Sequence, residues 1–136
     1  MSDSVLVDTP ALYAVLSPSD AFHSRAKSLY ETLINGKAEL YLTSYVLLET
    51  TTIVHRRLGF ATLMKLMDAI TPIIQVYWVD ESVHEQAQDI MLSRNGVGPS
   101  LVDWTTILVA KRLSALVFTF DRQLEAEGLI ILPRKA

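Results

Sequence analysis

A short apolar run that ends in a carboxylate constrains this chain more than any other stretch. Val5, Leu6 and Val7 are followed at once by Asp8, Thr9 and Pro10. Three consecutive aliphatic residues without polar alternation read as a strand covered on both faces. Pro10 brings a fixed φ and lacks an N–H, which suits the first turn of a helix, and Asp8 and Thr9 stand where a cap belongs. A doubly buried strand feeding straight into a helix is the opening of a layered α/β domain. It also carries an acid to the edge of a sheet.

The rest of the chain keeps this alternation. Helical spacing is expected over 11–16 and from 19 or 20 to 35, the second with an apolar stripe of Phe22, Ala26, Leu29, Tyr30, Leu33 and Ile34. A second strand follows over 40–43, and Ser44 is in place to cap a helix reaching about residue 57. A fourth helix is expected over 60–70 and a third strand over 73–79. Ser82 and Glu85 have capping-box spacing at the head of a fifth helix, and Ser100 and Asp103 repeat that spacing after the loop Asn95-Gly96-Val97-Gly98-Pro99. Leu116 to Phe120 read as a fourth strand ending in Asp121, then a helical turn over 122–127 and a last strand over 129–132. No hairpin signal joins any two strands. The expected fold is therefore α/β, three layers, with a mainly parallel central sheet and helices on both faces, as one domain over residues 1–136.

Charge and composition exclude several classes. Twelve basic against fifteen acidic residues give a net charge of -3, unlike a protein that coats nucleic acid. An enzyme that grips a few phosphates locally is compatible with that balance. There is no cysteine, hence no disulfide scaffold and no thiolate metal site. No apolar run reaches membrane-spanning length and no leader pattern opens the chain, so a cytoplasmic protein is expected.

The acids give the functional lead. In a parallel sheet the C-terminal ends of all strands share one edge, where ligand sites form. Asp8 ends the first strand and Asp121 the fourth. Glu49 lies in the second turn of the helix after the second strand, and Asp103 in the first turn of the sixth helix. A parallel sheet brings Asp8, Glu49 and Asp121 to one rim, and the entry loop can bring Asp103. Crowded carboxylates oppose one another's ionisation unless a cation joins them. Oxygen-only ligation points to Mg²⁺ or Mn²⁺ rather than zinc, and the chemistry to metal-assisted phosphodiester hydrolysis. Each acid also has a local reading: Asp8 as a cap beside Pro10, Asp103 as a capping-box acid, Asp121 as a turn residue, Glu49 as a solvated helix position.

The order and spacing of these segments resemble the PIN-domain nucleases, in particular the VapC-like toxins of type II toxin–antitoxin pairs. The resemblance spans essentially the whole chain. Val5-Leu6-Val7-Asp8-Thr9 looks like the family's opening strand and first acid, and Thr43-Ser44-Tyr45-Val46-Leu47-Leu48-Glu49 like its second motif. Ser100-Leu101-Val102-Asp103 resembles the third, and Thr119-Phe120-Asp121 the fourth, followed by Glu127-Gly128-Leu129. The resemblance implies a single-strand-specific endoribonuclease with a Mg²⁺ or Mn²⁺ site, a homodimer, and a cognate antitoxin. It implies metal contact for Asp8 and Asp103, a second ion or coordinated water for Asp121, and for Glu49 either orientation of the attacking water or help in binding the metal. Thr9 and Thr119 would support the carboxylates. Pro10 stands where Asn or Ser is frequent, and Trp104 where a small residue is usual.

Other readings remain at this level: a PIN protein of RNA processing, a non-catalytic RNA-binding module, or a phosphorelay receiver with Asp80 as acceptor. The receiver lacks a suitable Lys after a late strand. His23, His55 and His84 show no metal-ligand spacing. Trp78 and Trp104 read as core or interface. Among the cations Arg56, Arg57, Lys111, Arg112 and Arg122, the last is expected to be best placed for a phosphate because it adjoins Asp121.

Overall fold

A computed structural model describes residues 3–134. Five strands, β1 (Ser4–Val7), β2 (Glu39–Thr43), β3 (Gln75–Tyr77), β4 (Leu116–Phe118) and β5 (Ile131–Leu132), form one sheet. Their order is β3-β2-β1-β4-β5 and every pair is parallel, as the alternation of elements requires. The helices are α1 (Thr9–Leu16), α2 (His23–Asn35), α3 (Ser44–Leu58), α4 (Phe60–Lys65), α5 (Glu81–Ser93) and α6 (Leu101–Leu113).

β1 sits in the middle, with Val5, Leu6 and Val7 fully buried. Strand side chains alternate between faces, so β1 feeds two cores. Val5 and Val7 pack with Leu12, Ala26, Val46 and Val54 from α1, α2 and α3. Leu6 packs with Val83, Trp104, Ile107 and Val117, under α5 and α6. The three-layer α/β arrangement expected from the sequence is thus formed, with α1 to α3 on one face of the sheet and α5 and α6 on the other.

The chain builds outward from β1 to β2 and β3, then crosses to add β4 and β5 on the other side. The topological switch point lies between β1 and β4, which is where open parallel sheets place their ligand crevice. The register pairs Val7 with Phe118, and the Asp8 N–H donates to the Phe118 carbonyl at 2.9 Å. The segments that carry Asp8 and Asp121 are therefore held side by side.

Several local expectations shift. Asp20 does not start α2; its Oδ1 accepts the Phe22 N–H at 2.8 Å, closing a turn, and the helix begins at His23. Phe22 and Ile34 stay exposed, so the buried stripe of α2 narrows to Ala26 and Tyr30. Thr43, not Ser44, caps α3 by accepting the Val46 N–H, which frees Ser44 Oγ to accept the Val79 N–H. The helix over 60–70 changes winding: α4 passes into a π turn at Leu66–Ile70 and a tight turn at Thr71–Ile73, which shortens the third strand to three residues. β4 closes at Phe118 and the last strand keeps only Ile131–Leu132. The poor helix formers Thr50 and Thr52 are accommodated by hydrogen bonds: Thr50 is buried and donates to Thr9 Oγ1, and Thr52 donates to the Leu48 carbonyl.

The capping box expected at Ser82 does not form. Asp80 is the cap, its Oδ1 accepting the Val83 N–H at 2.9 Å. Ser82 instead accepts from Gln86 Nε2 on the helix surface. Asp80→Ala should therefore lower unfolding free energy by about 1 kcal/mol, while Ser82→Ala changes it by less than about 0.5 kcal/mol. Urea unfolding of the two variants separates these outcomes, and a larger loss for Ser82→Ala would reverse the assignment.

Candidate active site

Asp8 occupies the cap position of α1, with extended backbone, yet its side chain makes no capping hydrogen bond. Its carboxylate turns to the crevice between β1 and β4. There Oδ2 accepts the Thr119 hydroxyl at 3.0 Å, and the Thr9 backbone N–H supports the same group. The Thr119 oxygen in turn accepts the Asp121 N–H at 3.1 Å. One buried hydroxyl thus ties the acid after β1 to the segment that carries the acid after β4. Thr9 meets Asp8 through its main chain, since its own hydroxyl accepts from Thr50 at 3.3 Å.

Asp8 is only 2 % exposed. Burial pushes its carboxyl up to about 7, and the charges of Asp103 and Glu49 push the same way. The Thr9 N–H and the Thr119 hydroxyl act against that rise without cancelling it. Asp103 and Glu49 thus each come within electrostatic reach of Asp8, although Asp103 lies 95 positions further along the chain.

Asp103 is presented by the first turn of α6, and here the expected capping box is present. Ser100 Oγ accepts the Asp103 N–H at 3.2 Å and Asp103 Oδ2 accepts the Ser100 N–H at 3.0 Å. The box occupies one carboxylate oxygen and leaves Oδ1 outside it. The approach to this turn is clamped from behind. Arg94, at the end of α5, lies 4.6 Å from the centre of the buried Trp104 ring and forms a two-pronged pair with Glu127 at 3.0 Å. Asp121 also keeps its local role: Oδ1 accepts the Gln123 N–H at 3.2 Å and Oδ2 accepts Gln123 Nε2 at 2.9 Å, capping the turn Arg122–Glu127. The local readings of Asp103 and Asp121 therefore coexist with their place at the rim, whereas that of Asp8 does not.

A cleft of about 570 Å³ opens beside these groups. Its lining brings together the carboxylates of Asp20, Glu49 and Asp121, the rings of Tyr13, Phe22 and Phe120, and the guanidinium of Arg57. Asp20, Tyr13, Phe22 and Phe120 were not singled out from the sequence as site residues. Phe22 reads there as a core position of α2, and the one available signal for Phe120 is that it directly precedes Asp121. Arg122 does not face this cleft: it donates to the Pro133 carbonyl at 2.9 Å and pairs with Glu125. Arg57 takes the place expected for it. The histidines at 23 and 84 serve structural bonds, to the Ala14 carbonyl and the Tyr45 hydroxyl. Trp104 is core, as expected, but Trp78 is 72 % exposed.

The donor set suits a hard divalent cation. It is made of carboxylates alone, and the charges of Asp103 and Glu49 beside Asp8 would be offset by a cation. Among the described residues no three His, Cys, Asp or Glu side chains converge as a ready-made metal cluster.

A family model described as the PIN domain matches residues 5–127. The chain belongs to the PIN-domain family. No curated protein matches it. Solved structures that this PIN domain resembles include the sarcin–ricin-loop-cleaving toxin VapC20 of Mycobacterium tuberculosis, at 26% identity, covering 93% of this chain and 96% of that one, with a TM-score of 0.79. FitAcB from Neisseria gonorrhoeae is similar at 20% identity, 93% and 95% coverage and a TM-score of 0.71. DNA-bound VapBC from Salmonella typhimurium is similar at 16% identity, 96% and 97% coverage and a TM-score of 0.67. The last two likenesses concern the fold alone.

The raised proton affinity of Asp8 has a consequence for stability. An unfolded aspartate titrates near ~3.9, whereas the folded group titrates at about 7. Between these values the folded chain holds a proton that the unfolded chain has lost, so this contribution is full below the lower value and is lost as pH rises through the higher one. The charged carboxylate then costs the metal-free fold roughly 4 kcal/mol relative to its protonated form. Metal-free protein should therefore melt at lower temperature at pH ~8 than at pH ~5.5. In Asp8→Asn that part of the pH dependence should vanish. Parallel melting curves for parent and variant over this range would contradict the burial argument.

Proposed function

We propose that this PIN domain, read as one domain over residues 1–136, is a Mg²⁺- or Mn²⁺-dependent endoribonuclease that cuts single-stranded RNA. We propose further that it is the toxin of a toxin–antitoxin pair. The observation that carries the reading is the buried Asp8 carboxylate with the charges of Asp103 and Glu49 against it. Such an arrangement is costly for a scaffold and useful for an enzyme that binds a cation. The likeness to VapC20, whose structure is described as that of a sarcin–ricin-loop-cleaving toxin, supports RNA as the substrate class.

Asp8 and Asp103 would hold the cation, with Asp121 contributing from the end of β4. When bound, such an ion lowers the pKa of water and neutralises charge on a phosphoryl oxygen. Glu49, which lines the cleft from α3, orients the attacking water and takes its proton on a carboxylate oxygen. Thr119 and the Thr9 N–H hold Asp8 in one orientation, so little reorganisation is needed as charge develops. Arg57 supplies positive charge for a phosphate in a cleft otherwise rich in carboxylates.

Purified protein should cleave total RNA in Mg²⁺ or Mn²⁺, and EDTA should stop it. Asp8→Asn and Asp103→Asn should each slow cleavage on the order of a hundredfold or more while melting cooperatively. If both variants cut at the parental rate, the site is elsewhere.

A protein partner belongs to the same reading: a cognate antitoxin, and a second copy of the chain. Support for a chain-to-chain contact comes from an apolar groove along α3 that includes Leu47, Leu48, Met67 and Trp78. Leu48 is 69 % exposed and Trp78 is 72 % exposed, so two large apolar side chains face water together at this groove. Light scattering should find a dimer for the parent and a monomer for Leu48→Glu. A parent that remains monomeric at high concentration would remove the homodimer from this reading.

A further inference from the structure

The cleft holds an aromatic column that the catalytic reading does not use. Phe118 is fully buried in the core beneath α1 and α3. Phe120 stands against it edge to face, with centroids 6.2 Å apart. Phe22, from the turn before α2, stacks on Phe120 with centroids 4.4 Å apart and planes only 8° from parallel. Each ring fixes the next, from the core out to a ring that is 42 % exposed. Phe22 and Phe120 both line the cleft that contains Glu49 and Asp121. Among the residues lining that cleft Arg57 is the one cation, and its guanidinium lies 6.0 Å from the centre of the Tyr13 ring.

The outer ring is held in one orientation and leaves part of its surface free for another flat group. The covering group must tolerate carboxylates nearby and place a negative charge near one guanidinium. A nucleotide can place its base on the ring and its phosphate on the arginine, and the cation proposed above would offset the carboxylates.

We propose that Phe22, carried on Phe120, is the stacking platform for a base of the bound single-stranded RNA next to the scissile phosphate, and that Arg57 holds a phosphate of the same nucleotide. This assignment rests on the ribonuclease reading above. It makes Phe22 and Arg57 determinants of affinity and of base preference rather than groups that act on the reacting bond. Rigid stacking on an aromatic face is sequence-tolerant, but purines gain more from it than pyrimidines because they offer more surface. A purine is therefore preferred at the platform.

The test uses full-length protein, Mg²⁺ and a pool of short single-stranded RNAs of randomised sequence. Cleavage products give base preference, and steady-state rates give KM and kcat separately. Phe22→Ala should raise KM by roughly 5- to 100-fold, with a much smaller effect on kcat, and should erase base preference at one position beside the cut. Phe22→Trp should keep both the affinity and the preference, which a loss of folding could not mimic. Arg57→Ala should weaken binding to Asp8→Asn protein and reduce the salt slope of that binding by about 0.7, the value for one phosphate on a single strand. Phe60→Ala removes a ring that is 66 % exposed and lies outside the cleft lining, and should leave all of these unchanged. A cleaving parent whose Phe22→Ala variant keeps its KM and base preference would falsify the platform and leave the nuclease standing. A variant that is unaltered on RNA but loses a protein partner would likewise overturn it. If the parent cuts no RNA with any divalent ion, the platform falls together with the reading on which it rests.

Discussion

A carboxylate buried at the end of the central strand is the constraint on which the rest of this site depends. Taking Asp8 out of water costs free energy that only hydrogen bonds or a counter-charge can offset. The fold supplies two donors, the Thr119 hydroxyl and the Thr9 N–H, and then sets two further carboxylates against the same group. Stability alone would have selected an apolar residue or a solvated cap at this position. On the metal-site reading proposed above, the arrangement is a place kept for positive charge.

The supports around this acid are spread over both faces of the sheet. Thr119 bridges the ends of β1 and β4 through one oxygen, which fixes the spacing between Asp8 and the Asp121 segment. Asp103 is oriented by its capping box, and the loop leading to it is closed by Arg94, stacked on Trp104 and paired with Glu127. Trp104, unusual at that place by family resemblance, thus fills the core under α6 and supplies the surface on which Arg94 rests. The mobile-looking run Asn95-Gly96-Val97-Gly98-Pro99 is bracketed by these contacts rather than left to set the position of the acid.

On the ribonuclease reading proposed above, an acidic protein would have to confine its attraction for a polyanion to a few points. Net charge of -3 offers no general pull on RNA. The cleft joins its carboxylates to one arginine and three aromatic rings, so on that reading contact would come from local charge and from stacking, which salt screens less than a diffuse basic surface.

The sequence by itself determined the architecture. Doubly buried runs such as Val5–Val7, separated by helical periods and never by hairpin turns, admit a parallel sheet and little else, and a parallel sheet sends its strand ends to one edge. That was enough to bring Asp8, Glu49 and Asp121 into one account, and the Ser100–Asp103 box was legible from spacing alone. What the sequence left ambiguous was which oxygen answers which donor. Thr43 and Asp80 cap where Ser44 and Ser82 are equally plausible, since a cap is chosen by the angle at which the strand enters the helix. Phe22 passed for core, because helical spacing does not show that a helix starts three residues later than its first polar residue suggests. Arg122 was drawn away by Pro133 and Glu125, partners near in sequence but not visible as such. The tertiary structure alone decided that the Asp8 side chain leaves its cap for Thr119, 111 residues away. The physical reason is that local patterns encode backbone preferences, while the destination of a polar side chain is set by whatever burial and partners the packed layers bring to it.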